Sequence, residues 1–248
     1  MAANTFRETV RERVLYNLMF FALLMTASSL LLGQLSIHQD EKIVKDLGLA
    51  SVDIFGTLIA VFIGVGLIGK EIERRSLYPL LAKPLRRHEF LLGKFAGLAF
   101  TLLVNTALMS AGLFATLLLR YRRADLELLK GVVALYLGLL LVVAVALFFS
   151  TVATSTLVAT LSTLAMVVAG RYGDVIRNMR DVTNVPQWLV TGLYLALPNF
   201  HNFDVKTEIV YGDPVPAVQL AWMAAYAAAY AGALLSAAQL AFARRDLT

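Results

Sequence analysis

Few residues in this chain have types and spacings that could do chemistry. The run Gly64-Val-Gly-Leu-Ile-Gly69-Lys70 carries the glycines and the lysine with which a phosphate-binding loop cradles a nucleotide. Glu71 follows where such a loop needs a Ser or Thr to ligate magnesium, and the run closes an apolar stretch instead of turning from a strand into a helix. ATP binding by this chain is therefore not expected. Glu71 and Glu73 form a close acidic pair beside that stretch, but they lack the aspartate-rich signature of multipass enzymes of phospholipid synthesis. His38, His88 and His201 fall on separate segments, and no two stand at ligand spacing. The seven methionines do not cluster, and there is no cysteine, which excludes disulfides and thiolate metal sites. No catalytic, cofactor or metal residue is expected.

The elements that must position any site are membrane helices. Of 248 residues 59% are hydrophobic and only 16% charged, against about 25% in a soluble domain, and mean hydropathy is +0.72. Apolar runs long enough to cross a hydrocarbon core, about 20 helical residues, occur at 14–35, 52–69, 95–119, 131–149, 151–170 and 215–243. They predict an all-α, polytopic integral membrane protein with six transmembrane helices in one domain, residues 1–248. Runs such as 137–149 are apolar all round, without the two-residue alternation of a barrel strand. The six interiors contain no Asp, Glu, Lys, Arg or His; Asp53 sits at an end, and Asn17, Gln34 and Asn105 are the strongest polar groups. Ion-coupled transporters place ionisable groups at mid-membrane, so any energy input is expected from outside the membrane.

Thr5-Phe-Arg-Glu8 fits a capping box, with Phe6, Val10 and Val14 at helical spacing among arginines. A short amphipathic helix at the interface, or a charged extension of the first span, would produce that pattern. The apolar run after it is longer than a signal-peptide core and lacks a cleavage site, so it reads as a retained span. Gly56, Ala60 and Gly64, and then Gly93 and Gly97, form small-residue faces for helix packing. The hydroxyls between Ser150 and Thr163 either bond their own helix backbone or line a wet path. Between Arg171 and Pro216 the pattern breaks, and the apolar stretch 188–197 is too short to span, which suits a re-entrant or surface-lying helix. With both termini cytoplasmic, twelve of the 22 lysines and arginines lie inside and ten outside, seven of the twelve in the 70–94 loop.

That loop holds the most specific information. Glu71, Glu73, Arg74 and Arg75 continue the second span, Pro79 and Pro84 bias their predecessors away from helix, and Leu77, Leu80 and Leu81 offer one apolar face amid charge. On composition alone it could be the positive loop of any polytopic protein. Glu71, Glu73, Ser76-Leu77, Leu80-Leu81, Pro84, Arg87 and Gly93-Lys94 nevertheless resemble the cytoplasmic motif of type-2 ABC transporter permeases, closest to the branch of multicopper-enzyme maturation and small-molecule export. Arg75 departs from it, standing where many members have Gly. The resemblance implies a permease subunit in the cytoplasmic (inner) membrane of a bacterium or archaeon. It also implies a second permease copy or paralogue, and an ABC ATPase partner that carries the ATP and magnesium. Its coupling helix would contact that ATPase through Glu71, Glu73, Arg74, Leu77, Tyr78, Leu80, Leu81, Pro84, Arg86 and Arg87, and export of an unidentified substrate is the implied activity. The rivals are a multipass membrane enzyme and a non-transporting ABC membrane subunit acting on periplasmic partners.

Overall fold

The structure, a computed structural model, describes residues 2–10, 12–33, 40–73, 87–122, 125–173, 192 and 197–244. Among them are eight α-helices: α1 (Ala2–Val10), α2 (Arg13–Gly33), α3 (Asp40–Glu73), α4 (Arg87–Tyr121), α5 (Leu126–Val152), α6 (Thr156–Arg171), α7 (Lys206–Tyr211) and α8 (Ala217–Arg244). A 3-10 turn covers Phe200–Phe203. Four of the helices, α3, α4, α5 and α8, are long and apolar enough to cross a membrane. The apolar parts of α2 (Leu18–Ser28) and α6 are shorter. Each of the six expected runs thus overlaps one of these helices, and four of the helices have full spanning length.

Two of the long helices outrun their apolar windows. α3 begins at Asp40 rather than at residue 52, and its 34 residues extend about 51 Å at 1.5 Å per residue. Asp40 and Glu41 in its first turn suit the positive end of the helix dipole. Its early turns persist despite their charge because Val44 and Leu49 are fully buried. α4 likewise starts at Arg87, eight residues before the apolar run.

α5 is the hub. It is hydrophobic on every side, as a fully surrounded helix must be, and residues 141–147 are all buried. Asp125 caps its start, accepting the Glu127 amide at 3.0 Å. Ala153 turns out of the helix with ψ 152°, and the Ser155 hydroxyl starts α6 by accepting the Val158 amide at 3.3 Å. The turn therefore lies at 153–155, a few residues later than the expected break. Hydroxyls here bond backbone, as Thr160 does to Thr156 and Thr163 to Ala159, while Ser150 donates across to the Val65 carbonyl.

The small-residue face of α3 packs within the protein. A β-carbon on Gly56 would lie 2.8 Å from Leu139, and one on Gly64 2.9 Å from Ala146, so α3 and α5 run parallel in close contact. Large apolar side chains point outward on the rim helices, among them Phe20, Phe100, Leu118 and Trp222, as for a bundle whose solvent is hydrocarbon.

α1 is a separate helix, since the chain breaks at Glu12 before α2 starts. The capping box does not form: the helix begins at Ala2, three residues before Thr5. Thr5 instead packs on α4, where a β-carbon at Gly97 would come within 2.5 Å of it. Phe6 stacks edge-on to Phe100 at 4.8 Å, and Glu8 faces Lys94 at 3.5 Å. The packed face includes Thr5, Phe6 and Thr9, while the side chains of Val10 and Val14 lie outside what the structure describes.

Candidate functional site

Three of the ten predicted coupling residues fall within the described helices. Glu71 and Glu73 belong to the last turn of α3, and Arg87 is the first residue of α4. Arg74, Leu77, Tyr78, Leu80, Leu81, Pro84 and Arg86 lie outside the described residues, as does most of the 188–197 stretch. The phosphate-loop lookalike 64–70 is helical throughout, so it has no turn in which backbone amides could surround a phosphate.

The other end of the bundle holds a charged cavity. Asp53 is the centre: its Oδ1 accepts Arg171 Nη2 at 2.6 Å, and its Oδ2 accepts Arg171 Nη1 at 2.7 Å and Lys206 Nζ at 2.8 Å. Arg171 Nη2 also donates to the Thr57 hydroxyl at 2.9 Å. The Asp53 side chain is 10% exposed, that of Lys206 18% and that of Arg171 34%. An unpaired carboxylate at such a depth would cost several kcal/mol of desolvation. The fork-to-fork bonds from Arg171 and the second cation offset that cost.

Three stretches distant in sequence meet here, and each has a local reason. Arg171 closes α6, where a cation suits the negative helix end. Gly170 beside it leaves room for the Pro198 carbonyl and Phe200, which bring the return segment against α6. The Asn199 amide donates to the Tyr226 hydroxyl on α8 at 2.9 Å, and Phe203 packs on Gly138 of α5. That delivers Lys206, at the start of α7, to Asp53. α7 then ends at Gly212, whose φ of +82° is the left-handed geometry a glycine adopts without strain.

Beneath this group lies a cavity of about 400 Å³, floored by Leu135, Leu139 and Val142 and bordered by Phe200, Phe203 and Tyr172. A second ionic layer ties the same helix ends together: Lys45 Nζ meets Asp125 at 2.7 Å and Glu41 at 2.8 Å. Lys130 meets Glu127 at 2.7 Å and donates to the Val215 carbonyl at 2.9 Å. Among the described residues no group of three or more His, Asp or Glu is placed to hold a metal ion.

This cluster was not among the predicted site residues. Asp53 is not at a helix end: it lies 13 residues into α3, with 20 more before Glu73. Those 20 residues rise about 30 Å, one hydrocarbon thickness. The sequence did hold a signal: Asp53, Arg171 and Lys206 all fall on the same side under the expected topology, an unmatched acid facing two bases.

Helices of this length, apolar toward the outside and ion-paired at their ends, define a multi-pass membrane protein. The chain matches the family described as ABC-2 family transporter protein over residues 2–247, and it belongs to that family. Members are membrane subunits of ABC transporters without a catalytic domain, which sets aside the membrane-enzyme reading, and such subunits work with an ATPase partner. No curated protein matches the chain.

Proposed function

We propose that this chain is the permease of an ABC exporter in a bacterial or archaeal inner membrane. It crosses six times as a single domain, with both termini cytoplasmic. It works as a homodimer or beside a paralogue, and ATP and magnesium reside on a separate ATPase. The observation that supports this most is the family match over 2–247. α3 is one continuous helix over Asp40–Glu73, next in sequence to residues 74–86, and this supports the proposed route of coupling.

In this reading Leu77, Tyr78, Leu80 and Leu81 dock in an apolar groove of the ATPase. Glu71, Glu73, Arg74, Arg86 and Arg87 set register through charges at the rim, and Pro84 shapes the entry into α4. Nucleotide-driven closure would then move α3 and α4 as rigid levers.

Gentle detergent extraction should recover an ABC ATPase with the tagged permease. Leu80→Asp places a charge in the apolar groove, and such hot-spot losses run to about 2–4 kcal/mol, enough to abolish recovery of the ATPase. Arg87→Glu reverses a rim charge and should weaken recovery less. Both variants should still insert and extract normally. Full recovery of the ATPase with both variants would refute the placement of this interface.

A further inference from the structure

We propose that the cavity beneath Asp53, Arg171 and Lys206 is a binding site for a small amphipathic anion: a carboxylate or phosphate ester on one short apolar chain or ring. Charge makes the first argument. Among the described residues, Asp53 is the one buried carboxylate on the cavity wall, and it faces two cations. Asp204 is the other acid, but its side chain is 47% exposed and stands 3.7 Å from Lys206, at the rim. Counted over the whole described lining, two acids balance two bases; away from the solvent-exposed Asp204, Asp53 alone faces Arg171 and Lys206.

Donor capacity makes the second. A guanidinium presents five N–H donors, and Arg171 places three, two on Asp53 and one on Thr57. Lys206 has three donors and places one on Asp53 within hydrogen-bond distance. Both side chains line the cavity, so among the described residues an anion entering it meets donors that still lack acceptors.

Shape makes the third. The floor of Leu135, Leu139 and Val142 and the flank of Phe200 and Phe203 are apolar, a surface for a hydrocarbon body and not for a bare inorganic ion. A volume of about 400 Å³ lies toward the small end of the roughly 300–1,000 Å³ of small-molecule sites, which suits one chain and excludes a whole two-chain lipid. Gly138 lies in the lining beside Phe203: a β-carbon there would touch Phe203 at 3.4 Å, and a longer side chain would press on that wall.

The test is equilibrium binding of tritiated decanoate to the full-length protein in phosphatidylcholine nanodiscs, with empty discs subtracted. Binding should saturate, be displaced by decyl phosphate, and resist decanol and decyltrimethylammonium. Gly138→Leu, which crowds Phe203 and the floor without removing a charge, and Lys206→Gln, which removes one of the two cations, should each weaken binding at least tenfold. Asp53→Asn should strengthen it several-fold, because it leaves both cations without their carboxylate; a purely structural ion cluster would give the opposite sign. Thermal midpoints confirm that each variant is folded, and Gly138→Leu and Lys206→Gln alone suffice if Asp53→Asn does not fold. Equal binding of decanol, or undiminished binding by both of those variants, overturns the proposal. Adding phosphatidylglycerol to the discs tells the sources apart: displacement of decanoate assigns the site to the anionic group of a lipid, and unchanged binding assigns it to a soluble anion. The assay contains no ATPase and no transport step, so its failure would leave the permease reading standing.

Discussion

The Asp125 carboxylate accepts the Glu127 amide at 3.0 Å with one oxygen and the Lys45 ammonium at 2.7 Å with the other, so it starts α5 and ties it to α3 at once. Burial by itself would raise its pKa. The hydrogen bond and charge of Lys45, with the amides of Glu127 and Leu128, outweigh burial and hold the carboxyl below its ordinary value. A depressed folded pKa contributes stability that is complete above the unfolded value of about 3.9 and is lost as pH falls through the lower folded one. Asn caps a helix as well as Asp does, so Asp125→Asn removes only the ion pair, which at this exposure contributes under about 1 kcal/mol. Its thermal midpoint in detergent should sit slightly below wild type at pH 6, and the gap should narrow as the pH falls below about 3.9. Asp125→Ala also loses the cap, about 1 kcal/mol more, and its deficit should persist at low pH. An acid just ahead of the apolar run beginning at Leu126 is a local signal for the cap. Its partner Lys45, 80 residues away, has no local signal, because only the folded bundle brings the starts of α3 and α5 together.

At the scale of elements, α3 and α5 approach so closely that Gly64 and Ala146 leave no room for another methyl group. Gly64→Leu must displace α5 or distort α3, and overpacking of this kind costs about 1–3 kcal/mol. Gly66, two residues on, would meet nothing within 4 Å, and Gly66→Ala should leave stability unchanged or raise it by up to about 1 kcal/mol through helix propensity. Thermal unfolding of the two variants side by side checks this, and equal melting of both would show that the α3–α5 contact does not limit stability. The four-residue spacing of Gly56, Ala60 and Gly64 made a packing face readable from sequence. Which helix it meets was not readable, since small residues admit any neighbour. Helix limits were hidden for a different reason. A hydropathy window averages Lys42, Lys45 and Asp46 with the buried Val44 and Leu49 and ends the span near 52, whereas burial of one face is enough to continue α3 back to Asp40. That early cut-off placed Asp53 at a span end and concealed the centre of the cavity.

For the whole molecule, α3 joins the two places where function is argued. Asp53 and Glu73 are 20 residues apart on one unbroken helix, about 30 Å, which is the lever that the proposed coupling would use to reach the charged cavity. This arrangement has meaning for export only if the 74–86 segment faces the cytoplasm and the Asp53 end faces outward. Charge counting supports that orientation only narrowly, by twelve lysines and arginines to ten. The chain has no cysteine of its own, so single cysteines report orientation without background. Asp213→Cys, at an exposed position after α7, should react with a membrane-impermeant maleimide added to intact cells. Asn4→Cys, exposed on α1, and Ser76→Cys in the coupling segment should react only after the membrane is opened. The reverse pattern would invert the molecule and place the coupling segment away from any ATPase. Labelling of both Asp213→Cys and Ser76→Cys from outside would mean that α4, α5 and α6, which lie between the two positions, do not make the odd number of crossings that six spans require.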